Sequence, residues 1–104
     1  MTEYKVFLSK DAELEINEIT IWYEMKSESL GLRFFDCFDN YISQIIQNPF
    51  IYAIAFDNFR KVFMISFPYL IIYAVDIDKR EVEVLGVYHT SRNPKTIKKK
   101  LRKI

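Results

Sequence analysis

The sequence predicts an α+β domain: an N-terminal strand, a helical hairpin, then a three-stranded antiparallel meander. Three observations predict it. Between residues 11 and 46 the apolar residues recur at intervals of three and four, the period of helices with one buried face. From Phe59 onward the pattern changes to runs rich in Val, Ile, Phe and Tyr, side chains that pack well on a pleated surface. These runs are separated by Pro68 and by the polar segment Asp76–Arg80, both suited to turns between neighbouring strands.

Tyr4–Leu8 alternates and is rich in strand formers, so it reads as the first strand. Ser9 offers an N-cap, and Asp11–Lys26 follows as a helix whose inner stripe is Ala12, Ile16, Ile19 and Tyr23. Asp11, Glu13, Glu15 and Glu18 fall in its first turns, where the helix dipole favours acids. Ser27–Gly31 breaks the period. A second helix carries Leu30, Phe34, Phe38, Tyr41, Ile42, Ile45 and Ile46 on one wide stripe, and Asn48-Pro49 ends it, because the residue before a proline avoids helical geometry.

Phe59–Phe67, Leu70–Asp76 and Glu81–His89 are the three strands of the meander. Leu70–Val75 is almost continuously apolar, as expected of a central strand buried on both faces. The alternation of Glu81, Val82, Glu83 and Val84 slips at Leu85-Gly86, which a bulge at Gly86 would explain.

A chain of 104 residues holds one core of modest size. The expected division is a domain over residues 1–94 and a basic tail over 95–104. The net charge of +1 conceals an asymmetry: the tail carries six Lys or Arg and no acid, and the rest carries nine against fourteen Asp or Glu. Such a tail is open to three readings: a solvated end, a phosphate-binding segment, or a segment folded onto an acidic surface of its own body or of a partner. Ile97, Leu101 and Ile104 stand at helical spacing within it. The single cysteine, Cys37, excludes an internal disulfide, and one Cys with one His builds no zinc-type cluster, so no metal or cofactor is expected. The start of the chain shows no basic leader, and no apolar run is long enough to span a bilayer, so a cytoplasmic protein is expected.

The ordered signals resemble the RelE/ParE toxin superfamily over residues 4–94. The residues that carry the resemblance are Tyr23 within Ile-Trp-Tyr, Leu30-Gly31 with Phe34, Asn48-Pro49, Arg60, Phe67-Pro68-Tyr69 with Tyr73, and Val87-Tyr88-His89 with Arg92 and Pro94. The resemblance implies a toxin of a bacterial type II toxin–antitoxin system, associated with growth inhibition and plasmid stabilisation, and neutralised by a cognate antitoxin. It implies one of two activities, poisoning of DNA gyrase as in ParE-type members or cleavage of messenger RNA on the ribosome as in RelE-type members. A relative that binds its antitoxin without being toxic is a third reading.

Metal-free RNA cleavage needs a base, an acid and a cation at the phosphorane. His89 is the natural acid or base, since histidine is the side chain that ordinarily titrates near neutral pH. With it the resemblance groups Arg60 as phosphate clamp and Tyr88, while Arg92 and Tyr69 could hold phosphate or stack a base. Lys98, Lys99, Lys100 and Arg102 are the binding candidates of the tail, and Trp22 is the expected exposed aromatic of the hairpin. Each residue also has a structural reading: a bonded strand-end histidine for His89, a salt bridge to Asp57 for Arg60, a loop anchor for Arg92, and packing for Trp22 and the tyrosines. Some RNA-cleaving relatives carry a catalytic Glu or clustered lysines near the early strands. Here Asp57 is the only acid between Gln47 and Phe59, and Lys61 is the only lysine between Lys26 and Lys79. The long helices favour the ParE-like arrangement.

Overall fold

The computed structural model of the protein describes residues 4–102. Strand β1 (Lys5–Leu8) leads into a helical hairpin, α1 (Lys10–Lys26) and α2 (Leu30–Gln47). Strands β2 (Ile54–Phe56), β3 (Phe59–Phe63), β4 (Tyr69–Asp76) and β5 (Glu81–His89) follow, and helix α3 (Pro94–Arg102) closes the described chain. The strands form one sheet in the order β1-β5-β4-β3-β2, antiparallel throughout except that β1 runs parallel to β5.

Local chemistry sets the hairpin. The Ser9 hydroxyl accepts the Ala12 N–H at 3.0 Å and caps α1 as its position predicts. The Glu24 carboxylate accepts the N–H groups of Ser29 and Gly31, both at 3.0 Å, and so places a negative charge at the positive end of α2. Gly31 allows the two helices to meet: a Cβ there would stand 2.5 Å from the Thr20 carbonyl oxygen. Ala12, Ile16, Phe34, Phe38 and Ile45 then cover one face of the sheet, built from Val62, Ile71, Tyr73, Val82, Val84 and Val87.

The opposite face is covered by α3. Leu70, Ile72, Leu85 and Tyr88 receive Ile97 and Leu101, which are only 3% and 2% exposed. Strand β4 thus gives Ile71 and Tyr73 to the hairpin and Leu70 and Ile72 to α3, which accounts for its unbroken apolar run. The expected bulge is present: Ile72 pairs with Gly86 and Tyr73 with Val84, leaving Leu85 as the extra residue. Gly86 lies beneath the ring of Tyr88, and a Cβ on it would collide with that ring and its hydroxyl.

Two expectations are corrected. The sheet has five strands, because Ile54–Phe56 folds back on β3 through a tight Asp57-Asn58 turn in which Asp57 adopts a left-handed φ of 49°. The strand expected over Phe59–Phe67 ends at Phe63, since Ser66 takes a φ of 77° and turns the chain toward Pro68. Residues 95–102 of the basic tail lie in a helix against the sheet, with Ile97 and Leu101 inward; Ile104, the third residue of its expected stripe, lies outside the described residues.

Gly86→Ala is therefore expected to destabilise the fold by about 1–3 kcal/mol, the usual range for overpacking. Urea unfolding measures it, and pairing the change with Tyr88→Leu should recover part of the loss. A Gly86→Ala protein as stable as the native one would mean that the ring does not occupy this place.

Candidate functional site

His89 is exposed at the end of β5, with its ring edge-on to Tyr69 at 5.2 Å between centroids. Its Nδ1 accepts the Ser91 N–H at 3.1 Å and lies 2.8 Å from the Ser91 hydroxyl. Both contacts use Nδ1, which leaves Nε2 as the ring nitrogen without a bond to Ser91. Tyr69 is half-buried and packs on Phe34 at 5.6 Å.

Arg60 lies elsewhere. Its Nη1 donates to the Tyr52 carbonyl at 2.7 Å and its guanidinium sits 5.2 Å from the Phe50 ring. The salt bridge to Asp57 is not formed; Asp57 instead takes a two-pronged contact from Arg102, at 2.8 Å on each oxygen, which holds its carboxyl below the ordinary value. On β4, Arg60 pairs with Tyr73 and His89 with Tyr69. Four residues of strand place the two side chains roughly 13 Å apart along the sheet.

Tyr88 faces the other side of the sheet. It is 1% exposed beneath α3, with Arg92 and Lys100 lying 5.3 and 5.6 Å from its ring centre. Its hydroxyl has no hydrogen-bond partner among the described residues. Burial, and secondarily the charge of Glu15, pushes its pKa up to about 12, which suits a packed phenol and not a proton carrier. The three residues grouped as catalytic are thus not brought into one cleft in this conformation.

What the structure does assemble is a cleft of about 310 Å³ between α3 and the outer strands. Leu70, Ile72 and Ile97 line it with the rings of Phe56 and Phe63, and Lys61, Arg92, Lys95 and Lys98 supply its charge. Arg92 and Lys98 were candidates on sequence, whereas Lys61 and Lys95 were not singled out as site residues. Lys61 follows Arg60 on the same strand and so points to the opposite face, a signal the alternation carries. Lys99 is exposed on α3.

Lys100 is engaged at the sheet's edge. It lies 3.6 Å from Glu15 and 3.8 Å from Asp11, and Glu15 also accepts the Val87 N–H at 3.1 Å. Burial raises the Glu15 pKa above its ordinary 4.5, against the opposing pull of that N–H and of Lys100. Trp22 is 52% exposed on an outer stripe of α1 with Leu14, Ile21 and Met25, and Lys26 reaches over its ring at 4.8 Å. No helix among the described residues is long and apolar enough to cross a membrane.

A strand, a long helical hairpin and a mostly antiparallel sheet with a basic helix across its second face define a small α+β protein. The sequence matches the family model of the ParE toxin of the type II toxin–antitoxin system parDE over residues 6–94, and the chain belongs to that family. No curated protein sequence matches it. Among solved structures it is similar to the chromosomal ParDE toxin–antitoxin system from P. aeruginosa, with 12% identity, 83% of this chain and 95% of that chain covered, and a TM-score of 0.71. It is also similar to the isolated E. coli RelE toxin, at 15% identity, 97% and 99% coverage and a TM-score of 0.62. The intact E. coli RelBE toxin–antitoxin complex aligns at 16% identity, covering 86% of this chain and 99% of that one, with a TM-score of 0.62. At these identities the likeness shows the fold.

Glu15 yields a prediction with a definite sign. Its raised pKa means that the folded chain keeps a proton at pH values where the unfolded chain has released it. The stability it contributes is full below pH 4.5 and is lost as pH rises through the raised value. Glu15→Gln should remove this slope and still accept the Val87 N–H, whereas Glu15→Ala should cost about 1–3 kcal/mol by stranding that donor. Urea unfolding of the three proteins between roughly pH 4 and 8 checks both statements. Equal stability of the Ala and Gln proteins would refute the hydrogen bond's role.

Proposed function

We propose that this protein is a growth-inhibiting toxin that acts in the cytoplasm by binding a macromolecular target, in the ParE manner, and is neutralised by a cognate antitoxin encoded beside it. DNA gyrase is the target this reading names. One observation carries the preference for binding over RNA cleavage: Arg60, Tyr88 and His89 are dispersed, with Arg60 bonded to backbone and Tyr88 closed under α3. A metal-free nuclease needs its acid, base and cation within reach of one phosphate. Support for an antitoxin comes from the family and from similar structures described as toxin–antitoxin complexes.

One observation favours the second reading, a ribosome-dependent mRNA endonuclease: the cleft beside α3 combines Lys61, Arg92, Lys95 and Lys98 with two phenylalanine rings. Cations and stacking rings together are what single-stranded nucleic acid requires.

Controlled expression separates the readings. Expression alone should arrest growth, and co-expression of the neighbouring reading frame should restore it. DNA from arrested cells should carry gyrase-dependent breaks, with messenger RNA ends unchanged. His89→Gln should keep toxicity within about twofold, where loss of a general acid or base would cost 10²–10⁴-fold. New RNA ends that vanish in the His89→Gln strain would establish the endonuclease reading instead, and normal growth at good expression would leave a non-toxic antitoxin-binding relative.

A further inference from the structure

Helix α3 covers only part of its side of the sheet. Nine residues of helix span about 14 Å, whereas the nine residues of β5 run about 30 Å. The last described residue of the helix, Arg102, reaches Asp57 in the β2–β3 turn, and the next residue of that turn, Asn58, already lines an open hollow of about 890 Å³. Val6, Val75, Val82 and Val84 pack under the hairpin, so alternation along the strands puts Phe7, Ala74, Glu81 and Glu83 on the α3 side. These four residues also line the hollow, which therefore continues the face that α3 covers.

The helix and the hollow carry opposite charges. Asp76, Asp78, Glu81 and Glu83 outnumber Lys79 in the lining of the hollow, and Lys5 stands across the ladder from Glu81. On α3, Ile97 and Leu101 face the sheet, so Lys95, Lys99 and Arg102 fall on the outer side of the helix, where with Lys98 they border a basic hollow of about 360 Å³. Arg102 is engaged by Asp57. Among the described residues none of the four acids is in an ion pair, nor are Lys95, Lys98 and Lys99. Phe7 and Ile77, 49% and 65% exposed, leave apolar surface beside the acids. A basic ridge and an acidic recess thus lie next to each other on one face.

We propose that this face is a contact between two copies of the chain, related by a two-fold axis along the border of ridge and recess, so that α3 of each copy lies in the acidic hollow of the other. A two-fold contact must be self-complementary, and a ridge beside a recess of opposite charge meets that condition. A polyanion would engage Lys95 and Lys99 but be repelled by the neighbouring acids, and a polycation would meet the reverse. A second copy engages both sets at once and covers Phe7 as well. Ion pairs at such a surface contribute little singly, so the dimer is of moderate strength and weakens as salt rises.

Sedimentation equilibrium of the whole chain tests this. The native chain should dimerise in low salt, and its dissociation constant should rise at least about tenfold between roughly 20 and 500 mM salt. Lys95→Glu with Lys99→Glu should leave a monomer, and so should Glu81→Lys with Glu83→Lys. An equimolar mixture of these two proteins should dimerise again, because each altered surface then meets its opposite; a chain carrying all four changes should dimerise for the same reason. Thermal melts confirm that the altered proteins fold. Lys95→Gln with Lys99→Gln and Glu81→Gln with Glu83→Gln, gentler pairs, should each weaken the dimer, and an unchanged dimer in both would refute the proposal even where a charge-reversed protein does not fold. A native chain that stays monomeric in low salt, a dimer that survives both reversals, or reversed proteins whose mixture stays monomeric also overturns it. So does a monomer that binds decalysine through Glu81 and Glu83, or decauridylate through Lys95 and Lys99, since each would assign its surface to a separate partner.

Discussion

The two central strands carry apolar side chains on both faces, and the positions of the other elements follow from covering both. A sheet of this width exposes two surfaces to water, and each buried aliphatic side chain is worth about 1.5–3 kcal/mol. The hairpin covers one face through Phe34, Phe38, Ile16 and Ile45. The other face has only nine residues of helix to cover it, and α3 does so with two large anchors, Ile97 and Leu101. The bulge at Leu85-Gly86 makes that economy work: it turns Leu85 and Tyr88 to the α3 side while Val84 and Val87 remain with the hairpin.

A helix held by so few apolar residues is fixed further by charge. Lys100 reaches Asp11 and Glu15 on α1, and Arg102 grips Asp57 at the β2–β3 turn, so the helix is tied at two separate places on the acidic body. The contact with Glu15 also seals the edge of β5 beyond the end of β1, where the Val87 N–H would otherwise lack a partner. Exposed pairs of this kind contribute little singly; their effect is to orient a helix that burial already favours. This arrangement divides the basic segment by function. Lys100 and Arg102 are consumed in holding it, and Lys95 and Lys98 join Lys61 and Arg92 around a cleft that has no carboxylate among the described residues lining it.

The elements whose signals are local were legible in the sequence. The Ser9 cap, both helices, the two-faced strand β4 and the Gly86 bulge each leave a mark within a few residues of the feature itself. Strand β2 was hidden because three residues are too few for a period to show, although Asp57-Asn58 between Phe56 and Phe59 is a hairpin signal. The docking of α3 was only half legible. Ile97 and Leu101 announce an amphipathic helix, but the surface that receives it is drawn from Leu70, Ile72, Leu85 and Tyr88, with Phe56 and Phe59 packed alongside, and nothing in the sequence order joins those residues.

The site was the least legible part, and strand geometry gives the reason. Tyr88 and His89 are neighbours in sequence, yet neighbours on a strand point to opposite faces. His89 stands beside Tyr69 on the hairpin's side of the sheet, and Tyr88 is enclosed under α3. The same rule separates Arg60, bonded to the Tyr52 carbonyl, from Lys61, which lines the cationic cleft. A pattern read along the chain as Arg, Tyr and His therefore describes two surfaces. Any chemistry that needed all three together would require α3 to leave Tyr88 and the sheet to bring together side chains held about 13 Å apart along it. Recognition of a macromolecule requires neither change, because a surface can bind through cations and rings that stay where the fold has put them.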